Sequence, residues 1–102
     1  MNQVGDEIHF DVVLYGWTGE ILDADRPGGI CRGTAPKGSL LWDFVPHWLQ
    51  ERSKAREYFL DPDHRLKTDV MVVLNGKYQS PRDEVELHDG DTLVLLRIAS
   101  GG

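Results

Sequence analysis

The chain finishes in the stretch LLRIASGG, where an apolar run gives way to Gly101 and Gly102, which have no side chain to pack. Such an ending can be a frayed terminus or a residual linker, or it can present the terminal carboxylate as a reacting group. A carboxylate is a poor electrophile, but adenylation would convert it into a mixed anhydride that sulfide or a thiol can attack. Glycine suits this role because it has no Cβ to obstruct a narrow channel.

The other candidate groups form no pattern that indicates catalysis or metal binding. The four histidines are scattered, without an H-E-x-x-H or Cys/His arrangement. The stretch from Asp61 to His64 begins like a calcium loop, but Arg65 stands where the third oxygen ligand belongs. In GTAPKGS, Lys37 precedes Gly38, whereas a phosphate loop needs the glycine first. We therefore expect a protein co-substrate and not an enzyme, with no metal or cofactor of its own.

Composition and charge narrow the class of partner. The 102 residues suffice for one domain with a modest core, and the formal net charge of −6 comes without any run of Lys or Arg. Nucleic-acid binding needs clustered positive charge, so we expect no nucleic-acid partner and favour a basic protein partner. Cys31 is the single cysteine, which excludes an intramolecular disulfide. Neither a secretory signal nor a membrane-spanning segment is apparent, so we expect a cytoplasmic protein without a membrane partner.

The first half of the chain predicts a hairpin followed by a helix. Residues 8–15, IHFDVVLY, alternate as a strand does, and a Gly-, Pro- and Asp-rich turn segment leads to a weak second strand at residues 30–35. Residues 36–59 carry apolar side chains at helical spacing, with Ser39 as the expected N-cap. Pro46 lies inside this pattern, so we expect a kink or two helical pieces that meet near it.

The second half predicts a hairpin, a turn and a final strand. The β-branched run DVMVVL meets Asn75 and Gly76, a pair that tolerates the left-handed dihedral angles of a tight turn, and HDGD gives the next turn. The last strand, TLVLLRIAS, is apolar on both faces. One face carries Leu93 and Leu95, and the other carries Val94, Leu96 and Ile98. The helical segment can cover only one face, so we expect the other to be partly exposed and to serve as a docking surface.

These features occur in the same order in the ubiquitin-like sulfur carriers of the MoaD/ThiS family, which the chain resembles. The resemblance rests on VMVVLNGK, LHDGDTLVLL and IASGG, which match the family's NG hairpin, DGD turn, last strand and glycine end, and on FDVVLYG as its first strand. It implies an α+β fold, a ubiquitin-like β-grasp in which a mixed four- to five-stranded sheet packs on one main helix. It also implies a folded domain over residues 1–98 and a flexible C-terminal tail over residues 99–102.

The resemblance further implies a chemical role for the tail. A MoeB- or ThiF-like adenylyltransferase would use ATP to adenylate Gly102, and a sulfur donor would convert it into a thiocarboxylate. The sulfur would then pass to a molybdopterin or tungstopterin precursor held by a MoaE-like synthase subunit, or to a thiazole or another sulfur acceptor. The residues that the resemblance assigns to partner binding are the channel-lining Gly101, Ser100 and Ala99 and the docking residues Ile98, Arg97, Leu96 and Val94.

Two other functions stay open at the level of sequence. A lysine of another protein could attack the activated Gly102, which would make the chain a ubiquitin-like protein modifier. Alternatively, the glycines could be inert and the domain a plain binding module. The length of the chain and its long helical middle resemble the MoaD type more than the shorter ThiS type, so we favour molybdopterin synthesis.

Overall fold

The computed structural model of the chain describes residues 6–15 and 30–98. The predicted turn segment before residue 30 and the tail, residues 99–102, lie outside this part, so the domain boundary at residue 98 stays a prediction. Within the described residues the chain forms five strands and two helices. They are β1 (Glu7–Tyr15), β2 (Ile30–Pro36), α1 (Leu41–Gln50), α2 (Ser53–Phe59), β3 (Val70–Leu74), β4 (Lys77–Tyr78) and β5 (Thr92–Arg97).

The strands form one mixed sheet in the order β2-β1-β5-β3-β4. The last strand, β5, lies between β1, to which it is parallel, and β3, to which it is antiparallel. The β1–β2 and β3–β4 pairs are antiparallel, as the predicted hairpins require. With its helices packed against one face of this sheet, the molecule has the expected α+β fold, a ubiquitin-like β-grasp.

The core lies between the helices and the inner face of the sheet. Alternate residues of each strand point into it, because successive side chains of a strand lie on opposite faces. On β5 these residues are Leu93 and Leu95, both with no exposed area. The helices supply the opposing side chains, which are Leu41, Val45, Leu49, Ala55 and Phe59. One face of the last strand is therefore covered by helix, as predicted.

The start of α1 differs from the prediction, because Leu40 and not Ser39 occupies the N-cap position. The Ser39 hydroxyl instead donates a hydrogen bond to the carbonyl of Pro36 (2.7 Å). The first turn is satisfied by another part of the chain, since the Leu41 amide donates to the Val85 carbonyl (2.7 Å). The loop before β5 thus takes over the role that a capping side chain usually fills.

The helical region does consist of two pieces, but they do not meet at Pro46. Pro46 lies within α1, and the helix continues to Gln50 before the backbone of Arg52 becomes extended. The side chains of Trp48 and Leu49, beyond the proline, are both buried. Burial of these residues holds the helical path across Pro46, against a cost of about 3 kcal/mol for an interior proline.

Two turns at one end of the sheet are tied together by side chains. Asn75 has a φ of 51° in the β3–β4 turn, as the Asn-Gly pair predicts. Its amide nitrogen donates to the carboxylate of Asp91 (2.9 Å), and its amide oxygen accepts from the backbone of Thr92 (2.9 Å). Asp91 also accepts from the His88 backbone amide (2.7 Å) across the turn before β5. Asn75 therefore fixes the register of β3 against β5 as well as closing its own turn.

We predict that Asn75→Ala lowers the free energy of unfolding by about 2–3 kcal/mol, because it removes two hydrogen bonds and puts Ala in a left-handed conformation that Asn tolerates better. Asn75→Gly removes the same hydrogen bonds without the conformational cost, so it should be less damaging by about 1 kcal/mol. Urea unfolding of both variants separates the two contributions. Equal losses in the two variants would contradict the conformational part of this account.

Candidate functional site

The described chain ends where the predicted tail begins, at the exit of β5 from the middle of the sheet. The backbone amide of Ile98 still donates to the carbonyl of Asp69 (2.9 Å), and the Ile98 side chain is 45% exposed. Of the predicted site residues, Val94, Leu96, Arg97 and Ile98 are described. The predicted tail residues Ala99, Ser100, Gly101 and Gly102 lie outside the described residues.

Arg97, the last residue of β5, is held by contacts within the domain. Its Nη2 and Nε atoms both donate to Oδ2 of Asp69, at 2.7 and 3.0 Å. Its Nη1 atom donates to the carbonyl of Tyr58 (3.4 Å) in α2, and the guanidinium lies 4.9 Å from the centre of the Tyr58 ring. These contacts tie the end of β5 to α2 and to the residue before β3. The end of β5 is therefore fixed at Arg97.

The Arg97–Asp69 pair is strong because both side chains are largely shielded from solvent, with 27% and 22% of their surfaces exposed. The hydrogen bonds from Arg97 hold the pKa of the Asp69 carboxyl below its ordinary value, although partial burial opposes this shift. The same hydrogen bonds raise the pKa of Arg97. The pair is thus ionised throughout the neutral range, where charge-assisted hydrogen bonds are worth most.

The face of the sheet that points away from the helices carries an apolar surface, which we call the outer face. Strand register places its side chains in two rows that cross the sheet. The first row consists of Ile30, Val13, Val94 and Val73. The second row, nearer to the end of β5, consists of Tyr15, Leu96 and Met71. Val94 and Leu96 are only half-buried, which confirms the predicted exposure of the second face of β5.

Polarity changes along the outer face from one end of β5 to the other. Thr92, at the start of β5, pairs with Asp11, whose carboxylate lies 3.9 Å from the Arg32 guanidinium. Leu96, at the other end of β5, pairs with Met71 on one side and Tyr15 on the other. The apolar part of the outer face therefore lies near Ile98, the last described residue, after which the predicted tail begins. An apolar patch in this position is suited to protein docking.

The described residues carry no arrangement of three or more His, Cys, Asp or Glu side chains that could hold a metal ion. Cys31 is buried in β2 with no exposed area, where a thiol is inert. No helix in the described part of the chain is long and apolar enough to cross a membrane.

Sequence reasoning placed Arg97 at a docking surface and did not detect its partner. Asp69 precedes the β3 strand and lies 28 residues from Arg97, so no local pattern links the two. The only signal in the sequence is an arginine at an inward-facing position of an otherwise apolar strand. Such a residue needs a buried or half-buried partner, because an unpaired charge at that position would be costly.

Comparisons with known proteins bear on the fold. No family model matches the chain, and no curated protein does. Among solved structures, the chain is similar to SAMP1 from Haloferax volcanii, with a TM-score of 0.67 and 17% identity over 92% of this chain and 99% of that one. It is also similar to the HVO 2177 protein of the same organism, with a TM-score of 0.59 and 19% identity over 92% and 88% of the two chains. These likenesses establish the ubiquitin-like β-grasp fold.

We predict that Asp69→Asn lowers the free energy of unfolding by about 1–2 kcal/mol at about pH 7. Because the folded-state pKa of Asp69 is lowered, its stabilising effect is present above the unfolded pKa and is lost as the pH falls through the folded pKa. The difference from the unsubstituted protein should therefore shrink below about pH 4.

Denaturant unfolding between about pH 3 and pH 7 measures this difference. Asp63→Asn is the matched control, because Asp63 is an exposed loop residue whose carboxylate makes no ion pair among the described residues. A loss of stability that is equal at both ends of the pH range would show that the charge of Asp69 is not what stabilises the fold.

Proposed function

We propose that the chain is a ubiquitin-like carrier protein whose terminal Gly102 carboxyl is activated by a partner adenylyltransferase. The carboxylate attacks the α-phosphorus of ATP, and pyrophosphate leaves. Hydrosulfide then attacks the acyl carbon of the adenylate, and AMP leaves, so that the chain ends in a thiocarboxylate. The observation that carries this proposal is the position of the apolar row near Ile98, where the predicted tail begins, because it would join a docking surface to the reacting end.

The length of the tail limits where the partner can bind. Residues 99–102 span at most about 14 Å when fully extended. The active site that adenylates Gly102 must therefore lie within this distance of Ile98, and the activating enzyme must contact the surface around the end of β5. The side chains at this end of the outer face are apolar, and a net charge of −6 on the whole chain favours a basic partner around them.

Sulfur transfer in molybdopterin or tungstopterin synthesis is the use of this chemistry that we favour. The resemblance of the C-terminal third to the MoaD type supports it, and so does the long helical segment, which the structure resolves into α1 and α2. In this proposal the thiocarboxylate tail enters a MoaE-like synthase subunit, with Gly101, Ser100 and Ala99 in the channel. Ala99 and Ser100 have small side chains and Gly101 has none, so the tail could pass a narrow opening.

Protein modification is the second candidate, because it needs the same activated carboxyl. A lysine amine of a target protein would attack the acyl carbon, and the leaving group would depart as an isopeptide bond forms. The fold that the chain shares with SAMP1 supports a ubiquitin-like carrier and a ubiquitin-like modifier equally. The two functions differ only in the nucleophile that reaches the activated Gly102.

We predict that the full chain, incubated with a MoeB- or ThiF-like enzyme, ATP and a sulfur donor, gains the mass of one oxygen exchanged for sulfur. The chain without Gly102 should show no exchange, while its free energy of unfolding stays within about 0.5 kcal/mol, because Gly102 has no side chain to pack. Intact-mass spectrometry reads the exchange. A chain that is adenylated but forms isopeptide bonds instead of a thiocarboxylate would favour the protein-modifier function. A chain that is never adenylated would contradict both functions.

We also predict that Leu96→Asp lowers kcat/KM for adenylation by about five- to thirtyfold, mainly through KM, because a charge replaces an apolar docking residue. Gln50→Asp is the matched control, since it adds the same charge at an exposed position of α1, on the other side of the sheet. Pyrophosphate release in the presence of the activating enzyme measures both variants. Equal kcat/KM values for the two variants would show that the outer face does not contact the activating enzyme.

A further inference from the structure

A groove of about 740 Å³ lies between β2, at the edge of the sheet, and α1. One wall is the second half of β2, and the other wall is the side of α1 that faces this edge. The walls, floor and ends of the groove include Arg32, Thr34, Asp43, Phe44, Trp48 and Arg52. No residue of the two apolar rows of the outer face lines this groove, so it is a separate surface of the domain.

The β2 wall offers backbone hydrogen-bonding groups. The Asp11 amide donates to the Asp91 carbonyl, and the His9 carbonyl accepts from the Gly90 amide. The backbone N–H and C=O groups of the odd-numbered residues of β1 therefore point toward the β5 side. The even-numbered residues of β1 consequently face β2, where Phe10 pairs with Gly33. The backbone groups of Arg32 and Thr34 therefore point outward, to an edge on which no described strand lies.

The two edges of the sheet are not equivalent. At the opposite edge, β4 has only two residues, and short edge strands are one way in which proteins avoid further pairing. The edge strand β2 has seven residues. The outward N–H and C=O groups of Arg32 and Thr34, in the middle of this strand, are complementary to the backbone of another extended segment.

The floor of the groove is aromatic. Phe44 is half-buried, and its ring centre lies 4.9 Å from that of Phe10 and 6.1 Å from that of Trp48. The Phe10 ring lies directly under Gly33, where a Cβ would come within 2.6 Å of it, so β2 and the aromatic cluster are in tight contact. The Arg52 guanidinium lies 4.1 Å from the centre of the Trp48 ring and closes one end of the floor. An apolar side chain next to β2 would pack on Phe44 and Trp48.

The other end of the groove is acidic. Asp43 is exposed at the start of α1 and makes no ion pair within the described part of the chain. An adjoining hollow brings Asp83 and Glu84, with one arginine, Arg82, to the same end of α1. Three carboxylates against one guanidinium leave this end negative, which is complementary to a cationic side chain.

We propose that this groove binds an extended peptide segment of a partner protein, which adds to β2 as a further strand. The segment places an apolar side chain on Phe44 and Trp48 and a lysine or arginine toward Asp43. Asp43 and Trp48 are five positions apart in α1, a rise of about 7.5 Å along the helix. Alternate residues of a strand point to one side at a spacing of about 6.7 Å, so the apolar and cationic side chains lie two positions apart.

The test uses the full chain, labelled with ¹⁵N, and a blocked synthetic peptide of sequence Thr-Val-Thr-Leu-Thr-Lys-Thr. Saturable shifts of the Arg32 and Thr34 amides and of the Trp48 indole are expected in heteronuclear NMR spectra. A twin peptide with Glu in place of Lys should bind about two- to fivefold more weakly, since one exposed ion pair is lost. Shifts confined to the outer face, or no saturable shifts, would overturn the proposal.

Two pairs of variants separate the backbone contribution from the charge contribution. Thr34→Pro removes an outward N–H that the β1–β2 ladder does not use, and should weaken binding about two- to tenfold, whereas Thr34→Val keeps the N–H and should bind as the unsubstituted chain does. Asp43→Lys should reverse the preference between the Lys and Glu peptides, and Asp63→Lys, the same change in a remote loop, should not. An unchanged preference in Asp43→Lys would show that Asp43 does not select a cationic side chain. Equal binding by both Thr34 variants would show that the peptide does not add to β2 as a strand.

Discussion

Strand β5 is hydrogen-bonded along both edges, to β1 in parallel and to β3 in antiparallel orientation, and the rest of the molecule depends on this central position. Its inward residues Leu93 and Leu95 are fully buried under the helices, which anchors the strand. Its outward residues Val94 and Leu96 form the middle of the outer face. A chain end that follows such a strand emerges from the most constrained part of the sheet, which gives a tail a defined starting point.

The polar contacts of the domain reinforce this strand at both of its ends. At the start, Asn75 and Asp91 tie the turn before β5 to the β3–β4 turn. At the end, Arg97 is fixed by Asp69 and by the carbonyl of Tyr58. Both pairs use charge-assisted or buried hydrogen bonds, which hold geometry well because leaving one partner unsatisfied is costly. Of the two surfaces proposed for partner binding, one lies on the outer face of this sheet and the other lies at its β2 edge beside α1.

Much of the fold could be predicted from local patterns. The alternation in β1, the Asn75-Gly76 turn and the two apolar faces of β5 each depend on neighbours in sequence, and the structure confirms them. The predictions about the helix were less accurate. The expected cap at Ser39 was wrong because a carbonyl of the distant loop at Val85 satisfies the first turn, and the break was misplaced because burial beyond Pro46 keeps the helix intact.

The sequence by itself determined the order of the strands along the chain, the apolar character of both faces of β5 and the glycine ending at Gly101 and Gly102. Local periodicity and turn chemistry suffice for these features, since they depend on residues a few positions apart. Only the tertiary structure decided that Arg97 meets Asp69 and that β2 lies beside α1 as the edge strand of the described sheet. Such contacts join residues far apart in the chain, and they exist only when packing of the whole core brings the segments together.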